Sequence, residues 1–190
     1  MEKNTAIIGV LLLLIGTGIG YTLTSSAPTQ WGHMMADGTM MGQRIDQHFI
    51  VQMIPHHEGA IEMAEIALTR SKRPEIISLA NDIVEAQTRE ITDMTTWYTS
   101  WFGSTPPEGG AGMGQGGMTG DIGDLSSASD AEFDRVFLTQ MIPHHEMAIM
   151  MASMLAATTE RSEMKQLADD ISTSQAREIA MMRSWLEQWY

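Results

Sequence analysis

The sequence contains no cysteine, few aromatic residues and few basic residues. The absence of cysteine excludes disulfide bonds and thiolate metal sites. Lysine and arginine number 11 against 24 aspartates and glutamates, which gives a formal net charge of -13. A chain this acidic disfavours nucleic acid as a partner and attracts cations, although the same charge is also typical of an ordinary solvated surface.

Long apolar runs are absent except at the start of the chain, where the eighteen residues 6–23 carry no charge. Such a run is long for the core of a signal peptide and close to the about 20 residues that span a bilayer. We therefore expect residues 1–24 to form a membrane anchor that leaves the remainder outside the cytoplasm. A cleaved signal is the alternative, although Pro28 follows the small residues 25–27 directly and disfavours cleavage there.

Methionine, in contrast, is abundant, with 18 residues. The hexapeptide Met-Ile-Pro-His-His-Glu occurs at residues 53–58 and again at residues 141–146, and it holds four of the six histidines. Nitrogen and thioether donors at helical spacing suit a soft or borderline ion such as copper or silver. The two sets of donors are Met53, His56 and His57, and Met141, His144 and His145.

The duplication extends well beyond the hexapeptide. A shift of 88 positions aligns residues 46–102 with residues 134–190 without a gap, and 26 of the 57 positions are identical. Apolar residues recur at spacings of three and four in both halves of each copy, which predicts a helical hairpin. The sequence thus predicts an all-α, ferritin-like four-helix bundle made of two duplicated hairpins, residues 44–102 and 129–190, besides the N-terminal membrane helix.

Local signals predict where the helices begin. The hairpin turns are expected near residues 71–74 and 159–162. Pro74 suits the first position of a helix, and Ser162 suits the N-cap. Residues 129–132 have the form of a capping box that would start the second hairpin.

Pro55 and Pro143 interrupt the helical pattern directly before the histidines. A proline inside a helix removes a backbone hydrogen bond and costs about 3 kcal/mol. The helix is therefore expected either to kink or to start anew there, in a way that aims the imidazoles.

Two segments have the composition of flexible chain. Residues 25–43 are predicted to form an arm, and residues 103–128, rich in glycine, a linker. The arm carries a possible loose auxiliary metal site, formed by His33, Met34, Met35, Met40 and Met41.

Polar residues on the second helix of the first hairpin are predicted to face the hexapeptide at residues 53–58. If the first hairpin turns near residue 72, His57 stands opposite Gln87, and Met53 stands opposite Glu90, Ile91 and Met94. Polar residues on an apolar seam are costly to bury without partners. Gln87 and Glu90 are therefore expected to be ligands or acceptors for imidazole N–H groups.

The second repeat contains more sulfur than the first. A methionine stripe at helical spacing is usually core filler. Because this stripe begins at the histidine pair, we expect a softer site for Cu(I) or Ag(I). Its members are Met147, Met150, Met151 and Met154.

The sequence lacks the motifs of other common metal sites. No Glu-x-x-His pair of a di-iron carboxylate centre and no His-Glu-x-x-His pair of a zinc hydrolase occurs. Structural histidines are the main alternative. Two adjacent histidines, present twice and each time after methionine and proline, favour ligands instead.

The hexapeptides, each followed by Gln-x-x-Glu-Ile-x-x-Met, resemble a bacterial ferritin-like four-helix family of unknown function, over residues 46–190. Its better understood members are extracytoplasmic copper-binding proteins of the CopM type. The resemblance implies binding of Cu(I), Cu(II) and Ag(I) and a contribution to copper resistance. Carried over by motif, the ligands are Met53, His56, His57, Met63 and Met94, with Met141, His144, His145, Met151 and Met182.

We therefore predict a membrane-tethered extracytoplasmic protein that sequesters or relays copper, with silver as a surrogate. A relay would require a partner protein that receives the copper, and the sequence does not identify one. A metal-dependent redox enzyme, such as a cuprous oxidase, and an interaction module with structural histidines are the alternatives. Further auxiliary ligands are Asp46, His48, Glu90, Asp134 and Glu178.

Overall fold

A computed structural model describes residues 31–108 and 122–190, and all regular secondary structure in these residues is helical. The helices are α1 (Trp31–Arg70), α2 (Pro74–Phe102), α3 (Ile122–Ser127), α4 (Phe133–Ala156) and α5 (Ser162–Trp189). The pairs α1–α2 and α4–α5 form two hairpins, and α1 packs against α4. This is the bundle of two hairpins that the repeat predicts, with α3 as an addition.

The predicted membrane anchor, residues 1–24, lies outside the described residues, as do residues 25–30 of the predicted arm. Among the helices that the structure does describe, none has an uncharged apolar stretch of the length that a bilayer requires.

The rest of the predicted arm is helical instead of flexible. Residues 31–43 are the first part of α1, which has 40 residues. Methionine, alanine and glutamine are good helix formers, and extending an existing helix costs far less than nucleating one. The glycines of this segment therefore do not stop the helix. The side chains of the auxiliary candidates His33, Met34, Met35, Met40 and Met41 lie outside the described part.

The predicted linker also contains a helix. Helix α2 ends at Phe102 and is capped by Gly103, whose backbone φ of 73° is the left-handed conformation of a C-terminal cap. At the other end of the linker, α3 buries Leu125 in the bundle. The guanidinium of Arg70 donates hydrogen bonds to the carbonyl oxygens of Leu125, Ser126 and Ala128, which would otherwise lack partners at the end of this short helix.

The helix starts confirm one of the three predicted signals. Pro74 is the first residue of α2, as predicted. Ser162 is the first residue of α5 and not its N-cap, and α4 begins at Phe133 without a side-chain cap, so the predicted capping box is wrong. Instead, the hydroxyls of Ser71 and Thr159 accept hydrogen bonds from the backbone N–H of Arg73 and Arg161, at 3.2 Å in both turns. These local bonds shape the two turns in the same way.

Helices α1 and α4 continue through Pro55 and Pro143. Neither helix starts anew at its proline. Because a proline nitrogen has no hydrogen, each helix lacks one backbone hydrogen bond at this point.

Two apolar clusters fill the bundle. One contains the end of α1, the start of α2, the start of α4 and the end of α5. The other contains residues 49–53 of α1, the end of α2, the end of α4 and the start of α5. Helices α1 and α4 therefore run antiparallel, and the two hairpins are arranged head to tail.

An aspartate, an arginine and a tryptophan join the hairpins at each end. The Arg161 guanidinium lies 3.2 Å from the Asp46 carboxylate and 3.9 Å above the ring of Trp101. The equivalent residues 88 positions away make the same contacts at the opposite end: Asp134, Arg73 and Trp189, with distances of 3.1 and 4.2 Å. We call these two groups the clasps. Each clasp fixes the position of one hairpin along the other.

The clasp at Asp46 is the more deeply buried. The Asp46 side chain is 2% exposed, whereas that of Asp134 is 15% exposed. Burial raises the pKa of Asp46, while a hydrogen bond from Thr159 and the charge of Arg161 act in the opposite direction. Without Arg161, the ionised carboxylate would be buried and unpaired.

We predict that Arg161→Ala lowers the free energy of unfolding by about 3 kcal/mol at neutral pH, because a buried charge loses its partner. The loss should shrink as the pH falls and Asp46 takes up a proton. Denaturant unfolding at a series of pH values measures both. Arg135→Ala is the control, since its pair with Glu132 is exposed and contributes less than about 1 kcal/mol. Equal losses in the two variants would contradict the structural role of the clasp.

Candidate metal centre

A layer of buried polar side chains lies between the two apolar clusters, in the middle of the bundle. The histidine pairs of α1 and α4, and the glutamine and glutamate of α2 and of α5, fall between the segments that belong to the two clusters. Gln52 and Gln140 directly precede Met53 and Met141, the last residues of the first cluster segments of α1 and α4. We call this set the polar layer. Its buried members are Gln52, His56, His57, Gln87, His144, His145, Gln175 and Glu178, and the half-buried Glu90 and Gln140 complete the symmetry.

The second histidine of each pair contacts a glutamate of the neighbouring helix. Nε2 of His57 lies 2.5 Å from Oε2 of Glu90, and Nε2 of His145 lies 2.6 Å from Oε2 of Glu178. From the expected position of the hairpin turn, the sequence predicted that Gln87 lies opposite His57. Gln87 is one helical turn from Glu90, the partner that the structure shows. The prediction was wrong because side chains lean towards the N-terminus of their helix, so His57 leans away from the turn while Glu90 leans towards it.

The first histidines of the two pairs meet between the hairpins. The ring centroids of His56 and His144 are 3.8 Å apart, with an angle of 42° between the planes. Burial, with the charges of His144, His57 and His145, lowers the pKa of His56 to about 2. His56 is therefore neutral at physiological pH and available as a nitrogen donor.

Several buried atoms of the layer have no hydrogen-bond partner in the described protein. They include Nδ1 of His57 and His145, and Oε1 of Gln87 and Gln175. Such atoms are rare in folded proteins, because each costs free energy unless something binds it. Unpartnered nitrogens of neutral imidazoles are suited to binding a metal ion.

Methionine sulfur lies at both ends of the polar layer. Met53 and Met94 are buried in one apolar cluster, and Met63, Met141 and Met182 are buried in the other. Met53 and His57 are four residues apart on α1, and Met94 and Glu90 are four residues apart on α2. Residues at this spacing lie on one helix face, so these thioethers adjoin the layer. The structure thus brings the predicted histidines and these methionines to the same region of the bundle.

The methionine stripe of α4 divides between interior and surface. Met151 is half-buried against the core, and Met147 is half-buried. Met150 and Met154 are 56% and 57% exposed. The stripe is therefore not plain core filler, since two of its methionines are exposed to solvent.

The remaining auxiliary candidates lie outside the layer. His48 is exposed. Asp46 and Asp134 pair with arginines in the clasps, which gives these carboxylates a structural role. No group of three or more His, Asp or Glu side chains converges into a metal-binding cluster within the described ranges.

Sequence reasoning missed two sets of functional or structural residues. Gln52 and Gln140 belong to the polar layer, and Arg73 and Arg161 form the clasps. All four are identical between the repeats, and each is polar where the helical pattern or turn would accept many residues. Retention in both copies was the signal that could have found them.

The fold and the layer define a class: an antiparallel four-helix bundle of two repeated hairpins that buries paired histidines at its centre. Residues 46–186 match the model of a family described as a domain of unknown function, DUF305, and the chain belongs to this family.

Solved structures of CopM are similar over 76% of this chain. The Cu(I)-bound form is 48% identical with a TM-score of 0.68, and the chain covers 97% of it. The Cu(II)-bound form is 49% identical with a TM-score of 0.71 and 97% coverage, and a silver-soaked form is 47% identical with a TM-score of 0.68 and 96% coverage.

A DUF305 fragment from Deinococcus radiodurans is 28% identical, with a TM-score of 0.66, over 76% of this chain and 96% of that one. An uncharacterized protein, L153, from Acanthamoeba polyphaga mimivirus is 46% identical over 55 residues, 29% of this chain. The matched segment spans 36% of the viral protein.

The lowered pKa of His56 predicts how the stability of the metal-free protein depends on pH. Between about pH 6.5 and pH 2 the unfolded chain binds a proton at His56 and the folded chain does not, so stability falls as the pH falls. We expect His56→Met to reduce this slope by about 1.4 kcal/mol per pH unit below pH 6. Denaturant unfolding of both proteins in the presence of a chelator measures the slopes. Equal slopes would contradict a buried, neutral His56.

Proposed function

We propose that the protein binds monovalent copper, and silver in its place, inside the bundle at the polar layer. The ligands are the histidines of the two hexapeptides together with the buried methionines beside them. The metal is cargo that the protein sequesters or relays outside the cytoplasm, and this role contributes to copper resistance.

The observation that carries this proposal is the set of buried, unpartnered imidazole nitrogens flanked by thioethers. Neutral nitrogen and methionine sulfur are donors that favour soft ions over hard ones. The layer offers no cluster of carboxylates that would favour magnesium, calcium or di-iron chemistry. A monovalent ion also adds less charge to an apolar interior than a divalent one, and desolvation of charge is costly there.

The similarity to CopM supports the same cargo. Its solved structures contain Cu(I), Cu(II) and silver. The hexapeptide histidines and the methionines named above are the residues that we carry over from that likeness. At 47–49% identity over most of the chain, a shared metal is a reasonable inference.

The surface supports capture of cations. The formal net charge of the whole chain is -13, and a negative field raises the local concentration of positive ions. We infer that the exposed Met150 and Met154 bind the ion first, before it reaches the buried donors. The N-terminal apolar run would hold the protein at the outer face of a membrane, beside a partner that receives copper.

We predict that changing His56, His57, His144 and His145 together to alanine abolishes tight Cu(I) binding, because the imidazole donors are lost. An anaerobic titration against a competing Cu(I) chelator measures the affinity, and circular dichroism verifies that the variant is folded. His48→Ala is the control, since His48 is exposed and outside the layer. Unchanged binding in the quadruple variant would refute the layer as the site. Oxygen consumption by the copper-loaded wild type would favour the oxidase instead of a store or relay.

A methionine variant tests the sulfur donors without creating a cavity in the core. Changing Met53, Met94, Met141 and Met182 together to leucine conserves volume and should cost less than about 1.5 kcal/mol per site. We predict that the affinity for Cu(I) falls at least tenfold, while the helical content is kept. Met164→Leu is the matched control, because Met164 is buried in the same core but lies outside the hexapeptide pattern. An equal affinity in both variants would exclude the buried thioethers as ligands.

A further inference from the structure

The two ring nitrogens of His57 lie in different surroundings, and so do those of His145. Nε2 faces a glutamate oxygen, at 2.5 Å for His57 and Glu90 and at 2.6 Å for His145 and Glu178. Nδ1 of both histidines is buried and has no hydrogen-bond partner in the described protein. The same arrangement therefore occurs twice, once in each hairpin.

This geometry selects one tautomer. An ionised carboxylate only accepts hydrogen bonds, so Nε2 carries the hydrogen. If Nδ1 also carried a hydrogen, a buried N–H group would lack an acceptor, which destabilises the fold. The neutral ring with its hydrogen on Nε2 avoids this cost and leaves a lone pair on the buried Nδ1.

The glutamates lie on the outer side of the imidazoles. Glu90 and Glu178 are 16% and 10% exposed, and both line an open groove between α2 and α5. Neither His57 nor His145 lines that groove. Nε2 thus points to the groove side, and Nδ1 lies on the side of the bundle interior, where the methionines are.

We propose that Glu90 and Glu178 are positioning residues that make Nδ1 of His57 and Nδ1 of His145 the nitrogens that bind the ion. This inference rests on the proposed function. Each carboxylate holds the hydrogen on Nε2, orients the ring and increases the basicity of Nδ1, as an outer partner does for a metal-binding histidine. The ion is then bound on the interior side, away from the carboxylates.

The first experiment determines the tautomers in the metal-free protein. Nitrogen NMR of the full-length chain labelled with ¹⁵N-histidine distinguishes a protonated ring nitrogen from an unprotonated one by its chemical shift. We expect an unprotonated Nδ1 and a protonated Nε2 at His57 and His145. The reverse assignment would overturn the proposal without any metal present.

The second experiment adds Ag(I), whose spin-½ nuclei couple to a directly bonded ¹⁵N nucleus. We expect silver–nitrogen coupling at Nδ1 of His57 and His145 and none at their Nε2. Coupling at Nε2 would overturn the nitrogen assignment and leave the proposed function intact. Absence of any silver binding would overturn the proposed function, and the assignment with it.

Variants separate positioning from a merely structural ion pair. Glu90→Leu removes the acceptor of His57 only, so we expect the His57 tautomer to become mixed and the Ag(I) affinity to fall 10- to 100-fold, while His145 is unchanged. Glu178→Leu should make the His145 tautomer mixed and leave His57 unchanged, so that each repeat is the control for the other. Glu85→Leu removes an exposed carboxylate from the same groove and should change neither readout. A loss of stability in Glu90→Leu with the His57 tautomer retained would overturn the positioning role.

Discussion

The burial of paired imidazoles in the middle of an apolar bundle is the constraint on which the rest of the structure depends. Polar groups in such a place destabilise a fold unless each has a partner. Glu90 and Glu178 supply partners for one nitrogen of His57 and of His145. Nδ1 of His57 and Nδ1 of His145 have no hydrogen-bond partner in the described protein, which explains why a metal ion is the partner we propose. The layer thus links the packing of the bundle directly to its chemistry.

Duplication gives this layer its geometry. Because the hairpins are arranged head to tail, the rings of His56 and His144 contact each other between α1 and α4, with their centroids 3.8 Å apart. The two clasps hold that arrangement from both ends of the bundle, since each ties a carboxylate of one hairpin to the turn of the other. A shift of one hairpin along the other would break both ion pairs and separate the histidines. The clasps and the layer therefore depend on each other.

Much of this could be predicted from the sequence. The spacing of three and four identified the buried seam of α1 from Asp46 to Ala67 and placed the first hexapeptide on it. The repeat placed the second hexapeptide at the equivalent position of α4. What sequence reasoning could not supply depended on tertiary contacts. The turn hydroxyls replaced the predicted caps. Arg70, distant in sequence, donates hydrogen bonds to carbonyl oxygens of α3, and the direction in which side chains lean paired His57 with Glu90. The metal ligands themselves stay a prediction, because spacing identifies donors but not which of them share an ion.

The central claim is that a monovalent ion binds inside the bundle, at the polar layer. The most direct test is a crystal structure of the silver- or Cu(I)-loaded protein with an anomalous difference map, which locates the ion without reference to the protein atoms. We expect peaks between the four helices, beside His57 and His145 and within reach of buried methionine sulfur. Peaks only at the surface, such as at Met150 and Met154 or in the acidic groove between α2 and α5, would contradict it.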